Sequence, residues 1–177
     1  MKNKILLFLM IVFSFTLTAC KKKEERPLSE NEYYVYYINT ATDKLVENRY
    51  TASLPSNDMD GLVDELMSQF LKVPDDLEAL SALPDKVTYQ GFDRDGNILY
   101  LNFDTNYQGM DISREVLARA ALAKTLTQID GIDYISIRCG DQPLFNALGE
   151  NVGLISSSNF INSISNVNSF EKATLTL

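Results

Sequence analysis

Twice along this chain, two short runs of β-branched and aromatic residues separated by a turn cluster are followed by one run whose apolar residues recur every three or four positions. Neighbouring strands joined by a short turn pair antiparallel, and an amphipathic helix that follows must bury its stripe against the sheet they form. The first pair is Tyr33–Ile38 and Leu45–Ala52, joined through Asn39-Thr40-Ala41-Thr42-Asp43 and stopped by Pro55-Ser56-Asn57. Its helix carries Met59, Leu62, Val63, Leu66, Met67, Phe70 and Leu71, with Asn57 as the expected N-cap and Pro74 as the stop. The second pair is Val87–Phe92 and Ile98–Phe103, with the Asp-Gly turn signal inside Asp93–Asn97. Ser113 is the expected cap of a second helix running to Gln128 and closed by Gly131; its small residues Ala118, Ala120, Ala121 and Ala123 allow close approach to a sheet. Tyr134–Cys139 follows as a fifth strand, and Ala173–Leu177 reads as a last one after a Ser/Asn-rich stretch. The expected class is α+β: a two-layer mixed sheet with two helices, in the order β-β-α-β-β-α-β.

The N-terminus is a targeting segment and belongs outside that fold. Lys2 and Lys4 precede an apolar run, Ile5–Phe13, which is shorter than the roughly 20 residues a bilayer span needs. Leu17-Thr18-Ala19-Cys20 resembles the lipobox of bacterial lipoproteins, where the Cys thiol is acylated and cleavage falls just before it. The expected division is a signal peptide over 1–19, a lipidated Cys20 with a charged tether over 20–31, and one domain over 32–177 with a Ser/Asn-rich C-terminal extension. Lys21, Lys22 and Lys23 would then lie at the headgroups, where each basic charge adds about 1 kcal/mol of attraction to anionic lipid; a plain spacer is the other reading. Cys139 is left as the one unmodified cysteine, so a hydrophobic core must hold the domain without an internal disulfide.

Composition removes several function classes. The chain has no His, which excludes Ser-His-Asp and Cys-His nucleophiles, His-ligated zinc, and imidazole as a general base. A formal charge of −8, more negative once Lys2 and Lys4 are cleaved away, argues against nucleic acid. Asp93-x-Asp95-Gly96-Asn97 fails the EF-hand pattern because its glycine falls at the fourth position and Asp104 occupies the twelfth, so it reads as a turn. Cys139 at a strand end lacks an activating His and reads as core. Ser169-Phe170-Glu171-Lys172 matches Ser-x-x-Lys without its companion motifs, and Asp75-Asp76 and Asp130 with Asp133 read as turn carboxylates. No cofactor is implied and no enzyme is expected.

Alternation separates the sheet faces. Leu99, Leu101 and Phe103 share one face, as do Ile135, Ile137 and Cys139, and these should meet the helices. The opposite face presents Ile98, Tyr100 and Asn102 beside Tyr134, Ser136 and Arg138. The first strand is aromatic on both sides, with Tyr33 and Tyr37 on one and Tyr34 and Tyr36 on the other. Tyr and Arg concentrate in interface hot spots, so Tyr34, Tyr36, Tyr100, Tyr134 and Arg138 are the candidate partner-binding residues. The competing reading is that residues 145–177 fold back over this face.

Leu80-Ser81-Ala82-Leu83-Pro84, Asp95-Gly96-Asn97-Ile98-Leu99-Tyr100-Leu101-Asn102-Phe103 and the run from Lys124 to Ile137, with Tyr36-Tyr37 and Lys44-Leu45-Val46 upstream, resemble the GerMN domain of sporulation and spore-germination lipoproteins. The resemblance spans about residues 33–160. It implies an extracytoplasmic α/β module similar to the ring-building domains of secretion systems, with no catalytic residues to carry over. The known sporulation member has two copies of the domain and this chain has one; Phe170–Leu177 looks like the opening strand of a second. The expectation is a non-enzymatic lipoprotein, held through acylated Cys20 on the outer face of the cytoplasmic membrane, that docks on an envelope or sporulation-complex protein. The alternative is a cell-wall glycan or small-ligand binder that uses Tyr34, Tyr36, Tyr100 and Tyr134 as a stacking platform.

Overall fold

In the computed structural model residues 26–160 are described. The signal peptide, Cys20, Lys21–Lys23 and the expected strand Ala173–Leu177 lie outside them.

The elements run β1 (Glu32–Asn39), β2 (Leu45–Thr51), α1 (Met59–Phe70), β3 (Ala79–Leu80), β4 (Tyr89–Asp95), β5 (Ile98–Phe103), α2 (Ile112–Leu126), β6 (Tyr134–Cys139) and β7 (Gln142–Pro143), with a 3₁₀ turn at Ser157–Asn159. The class is α+β with two helices, and the five longer strands and both helices keep the expected order. The strands divide between two sheets, an antiparallel one in the order β2-β1-β3 and a mixed one in the order β4-β5-β6-β7, in which β5 and β6 are parallel. The two-residue strands β3 and β7 are too short to show a period in sequence.

Local chemistry moves several boundaries. Asp58 caps α1 in place of Asn57, accepting from the Gly61 N–H at 3.1 Å. Asp111 caps α2 in place of Ser113, whose own N–H it accepts at 3.0 Å together with that of Arg114 at 3.3 Å. Both corrections have one cause: a carboxylate immediately before the first helical residue reaches the orphan N–H groups better than a neighbour displaced along the chain. The first strand of the second hairpin starts at Tyr89, carries a bulge between Tyr89 and Gly91, and extends to Asp95. Only Gly96 and Asn97 form the turn, with Gly96 at φ +60°, as a two-residue hairpin loop requires of its first central residue.

One core joins the elements. Tyr33, Val35 and Tyr37 of β1, Leu99, Leu101 and Phe103 of β5, and Ile135, Ile137 and Cys139 of β6 are all buried, as alternation predicts. They meet Leu62, Val63, Leu66, Met67 and Phe70 of α1 and Leu117, Ala118, Ala121, Leu122 and Leu126 of α2. The small residues of α2 serve a further purpose, because this helix lies close enough to β1 to complete its edge. Gln128 accepts from the Tyr34 N–H at 2.9 Å and donates to the Tyr34 carbonyl at 2.7 Å, and Thr125 accepts from the Tyr36 N–H at 3.1 Å. Side chains thereby satisfy backbone groups that a sheet neighbour would otherwise take.

The chain also covers the outer edge of β6. Leu144 donates its N–H to Ile137 at 3.0 Å, and Ile135 and Ile155 exchange two backbone bonds at 2.8 Å. Val152 and Phe160 pack against the core. Residues 144–160 thus follow the edge of β6; the rest of the segment expected to fold back over the face of Tyr100 and Tyr134, residues 161–177, lies outside the described residues.

A candidate interaction surface

Three strands build the face of the mixed sheet that the described residues leave uncovered. Their register sets Tyr100 beside Asp93 of β4 and Ser136 of β6, Asn102 beside Arg138, and Ile98 beside Tyr134. The Arg138 guanidinium lies over the Tyr100 ring, 4.3 Å from its centroid, and donates to the Asp93 carboxylate at 3.0 Å. Asn102 donates to the same Asp93 oxygen at 3.2 Å. The result is a planar cation held on an aromatic face by a carboxylate, with Tyr134 exposed on the same face opposite Ile98. Gln90, Asp93, Asn102, Arg138, Gly140 and Asp141 line a shallow cleft beside it. Asp93 and Arg138 are both well exposed, so their pairing adds little stability but fixes where the guanidinium sits.

The five sequence-derived candidates fall into two groups. Tyr100, Tyr134 and Arg138 are together on the mixed sheet. Tyr34 and Tyr36 belong to β1 in the antiparallel sheet, where their rings meet edge to face with centroids 6.3 Å apart. Arg49 sits 5.6 Å from the Tyr34 ring and Lys124 sits 5.9 Å from that of Tyr36. The four tyrosines are therefore divided between two surfaces, because β1 and β5 lie in different sheets; Arg49 and Lys124 accompany the first pair and Arg138 accompanies Tyr100.

Sequence reasoning missed a third arrangement. Glu32 is buried at the start of β1, and Arg26 grips its carboxylate with its two terminal guanidinium nitrogens. The Ser29 N–H and Arg49 also donate to it, at 2.9 and 3.3 Å. The bond from Arg26, reinforced by the one from Ser29, holds the Glu32 carboxyl down at about 2. Residues 26–29, the far end of the charged tether, are in this way fastened to the domain. Two charged residues six positions apart gave no signal of this, since neither belongs to a periodic pattern.

Of the groups weighed as chemistry, Ser169–Lys172 lies outside the described residues, and Cys139, Asp76 and Asp133 stand in structural settings. Burial pushes the Cys139 thiol up to about 11, which suppresses the thiolate. Asp76 accepts from the Glu78 N–H at 2.9 Å in a turn, and Asp133 accepts from Asn97 at the end of the second hairpin. Among the described residues, no group of three or more His, Cys, Asp or Glu is placed to hold a metal ion, and no helix is long and apolar enough to cross a membrane.

Comparisons with known proteins agree with this fold. The first GerMN domain of the sporulation protein GerM from Bacillus subtilis superposes with a TM-score of 0.52 at 14% identity, over 68% of this chain and 91% of that one. The tandem GerMN domains of the same protein give 0.48 at 17% identity, over 77% of this chain and 46% of that one, so the chain spans about half of the tandem. A candidate lipoprotein from Clostridium perfringens gives 0.46 at 16% identity, over 75% of this chain and 95% of that one. Among curated proteins none matches the sequence. The family described as "Germane: Sporulation and spore germination" matches residues 34–145. With well over half of its length matched, this chain belongs to that family of sporulation and spore-germination domains.

Proposed function

We propose that the chain is a lipoprotein of the outer face of the cytoplasmic membrane whose domain docks, without catalysis, on a protein of the envelope or of a sporulation complex. The observation that carries the docking role is the face of the mixed sheet that the described residues leave uncovered, where Arg138 is pinned over Tyr100 by Asp93 and an exposed Tyr134 shares the face. A pre-positioned Arg and two tyrosines provide large contact area at little entropic cost, which suits a protein partner. The lipobox ending at Cys20 supports the membrane anchor. The anchor is checked by fractionation: Cys20→Ala is expected to leave the membrane for the culture fluid, and equal membrane retention of the variant would contradict the lipoprotein reading.

The competing function is glycan binding. Stacking on a sugar suits a ring that is open on one side, whereas Arg138 occupies the ring of Tyr100. Titration of muropeptides onto the protein separates the two readings. No shift of the Tyr34, Tyr36, Tyr100 and Tyr134 resonances is expected, and specific, saturable shifts there would favour the glycan binder.

A further inference from the structure

The most exposed apolar side chains of the described residues include two in the connection between α1 and β3. Leu77 is 95% exposed and Val73 83%, with Leu71 and Leu80 also exposed at the ends of the segment. Single exposed apolar residues are ordinary on a protein surface, but here four fall within ten positions of one connection. The backbone that presents them is fixed. Tyr37 donates its hydroxyl to the Gln69 carbonyl at 3.0 Å, Thr40 donates its N–H to the Glu78 carbonyl at 3.0 Å, and Ala79 donates to Asp76 at 3.0 Å. Ala79 and Ala82 are buried beneath. Leu77 is thus held out on a scaffold tied to β1, and collapse of the segment onto the core would break those bonds.

Charge identifies the kind of partner. From Leu71 to Leu80 the chain carries Asp75, Asp76 and Glu78 against one cation, Lys72, whose ammonium donates back to Gln69 at 3.1 Å. Asp76 and Glu78 also line a cleft with Asn39, Thr40, Lys44, Leu45 and Val46. An anionic lipid surface would repel this segment, and a second copy of so acidic a chain offers little to neutralise it. We propose that residues 71–80 are a second docking element, a knob whose Val73 and Leu77 enter an apolar groove on a partner protein while Asp75, Asp76 and Glu78 pair with a Lys/Arg rim around that groove. The knob is tied to the antiparallel sheet and the Tyr100–Arg138 face lies on the mixed sheet, so either can fail without the other.

The probe is a short fluorescent amphipathic peptide of Leu and Lys, with a Leu/Glu counterpart, titrated by anisotropy onto the full-length protein in detergent micelles. The Leu/Lys peptide is expected to bind and the Leu/Glu peptide not to. Affinity should fall by about tenfold or more both in Val73→Ser with Leu77→Ser and in Asp75→Asn with Asp76→Asn and Glu78→Gln, with melting temperatures unchanged. No binding, or equal binding by the apolar variant, would overturn the proposal, the latter because general attraction to an acidic chain would then explain it. Two further results would overturn it by naming another occupant. One is a comparable gain in affinity on truncation after Phe160, which would assign the knob to the chain's own C-terminal segment. The other is self-association that disappears in the apolar variant, which would assign it to a second copy.

Discussion

Glu32 shows how much one side chain can organise. Its carboxylate is buried and takes Arg26, the Ser29 N–H and Arg49 together, so its loss would free residues 26–29 and leave Arg49 without its acidic partner at this site. Because the folded carboxyl is held down at about 2, below the ordinary Glu value of about 4.3, its contribution to stability is complete above the ordinary value. It is lost as the pH falls through about 2. Acid unfolding followed by circular dichroism should therefore show wild type losing stability over this range faster than Glu32→Gln, although wild type is the more stable of the two at neutral pH. Parallel curves would show that the carboxylate contributes nothing beyond its shape. Thr125 makes a comparable prediction in the core. Thr125→Val keeps the volume but deprives the Tyr36 N–H of its 3.1 Å acceptor, which should cost about 1–3 kcal/mol in a denaturant titration.

At the level of elements, the helices test how the chain sets its boundaries. Asp111→Ala should cost about 1 kcal/mol of stability, whereas Ser113→Ala should be close to neutral, since Ser113 contributes only a backbone N–H to the cap. Thermal melts of the two variants decide this, and the reverse order would restore Ser113 as the cap. Strands with strict alternation were legible in sequence: the inward sets of β5 and β6 follow from residue type alone, because burying one face of a pleated strand leaves no other arrangement. The division into two sheets was not legible. It depends on Gln128, just past the end of α2, meeting Tyr34 across 94 residues and on Thr125 of α2 meeting Tyr36, and no local period encodes a side chain acting as a sheet partner. The strands β3 and β7 escaped for a simpler reason, since two residues cannot display a period.

For the whole molecule, the family match and the fold agree on a sporulation and germination domain, and the question is what the domain contacts. The residues of the mixed-sheet surface could be assembled from sequence because β5 and β6 are parallel and in register, which carries the alternation of one strand directly onto the next. The Arg138–Tyr100–Asp93 arrangement could not, since it also needs β4 and its bulge. Nor could sequence separate the Tyr34–Tyr36 pair from this surface, because aromatic strands on different sheets look alike along the chain. The central claim is that the mixed-sheet face is a protein-docking surface, and it is tested most directly by crosslinked capture of the full-length protein from the membranes of its own host, comparing wild type with Tyr134→Ala plus Arg138→Ala. A stoichiometric envelope protein captured by wild type and lost in the variant, with the melting temperature nearly unchanged, is the predicted result. Equal capture by both proteins, or a large fall in melting temperature showing that these side chains are covered core, would contradict it.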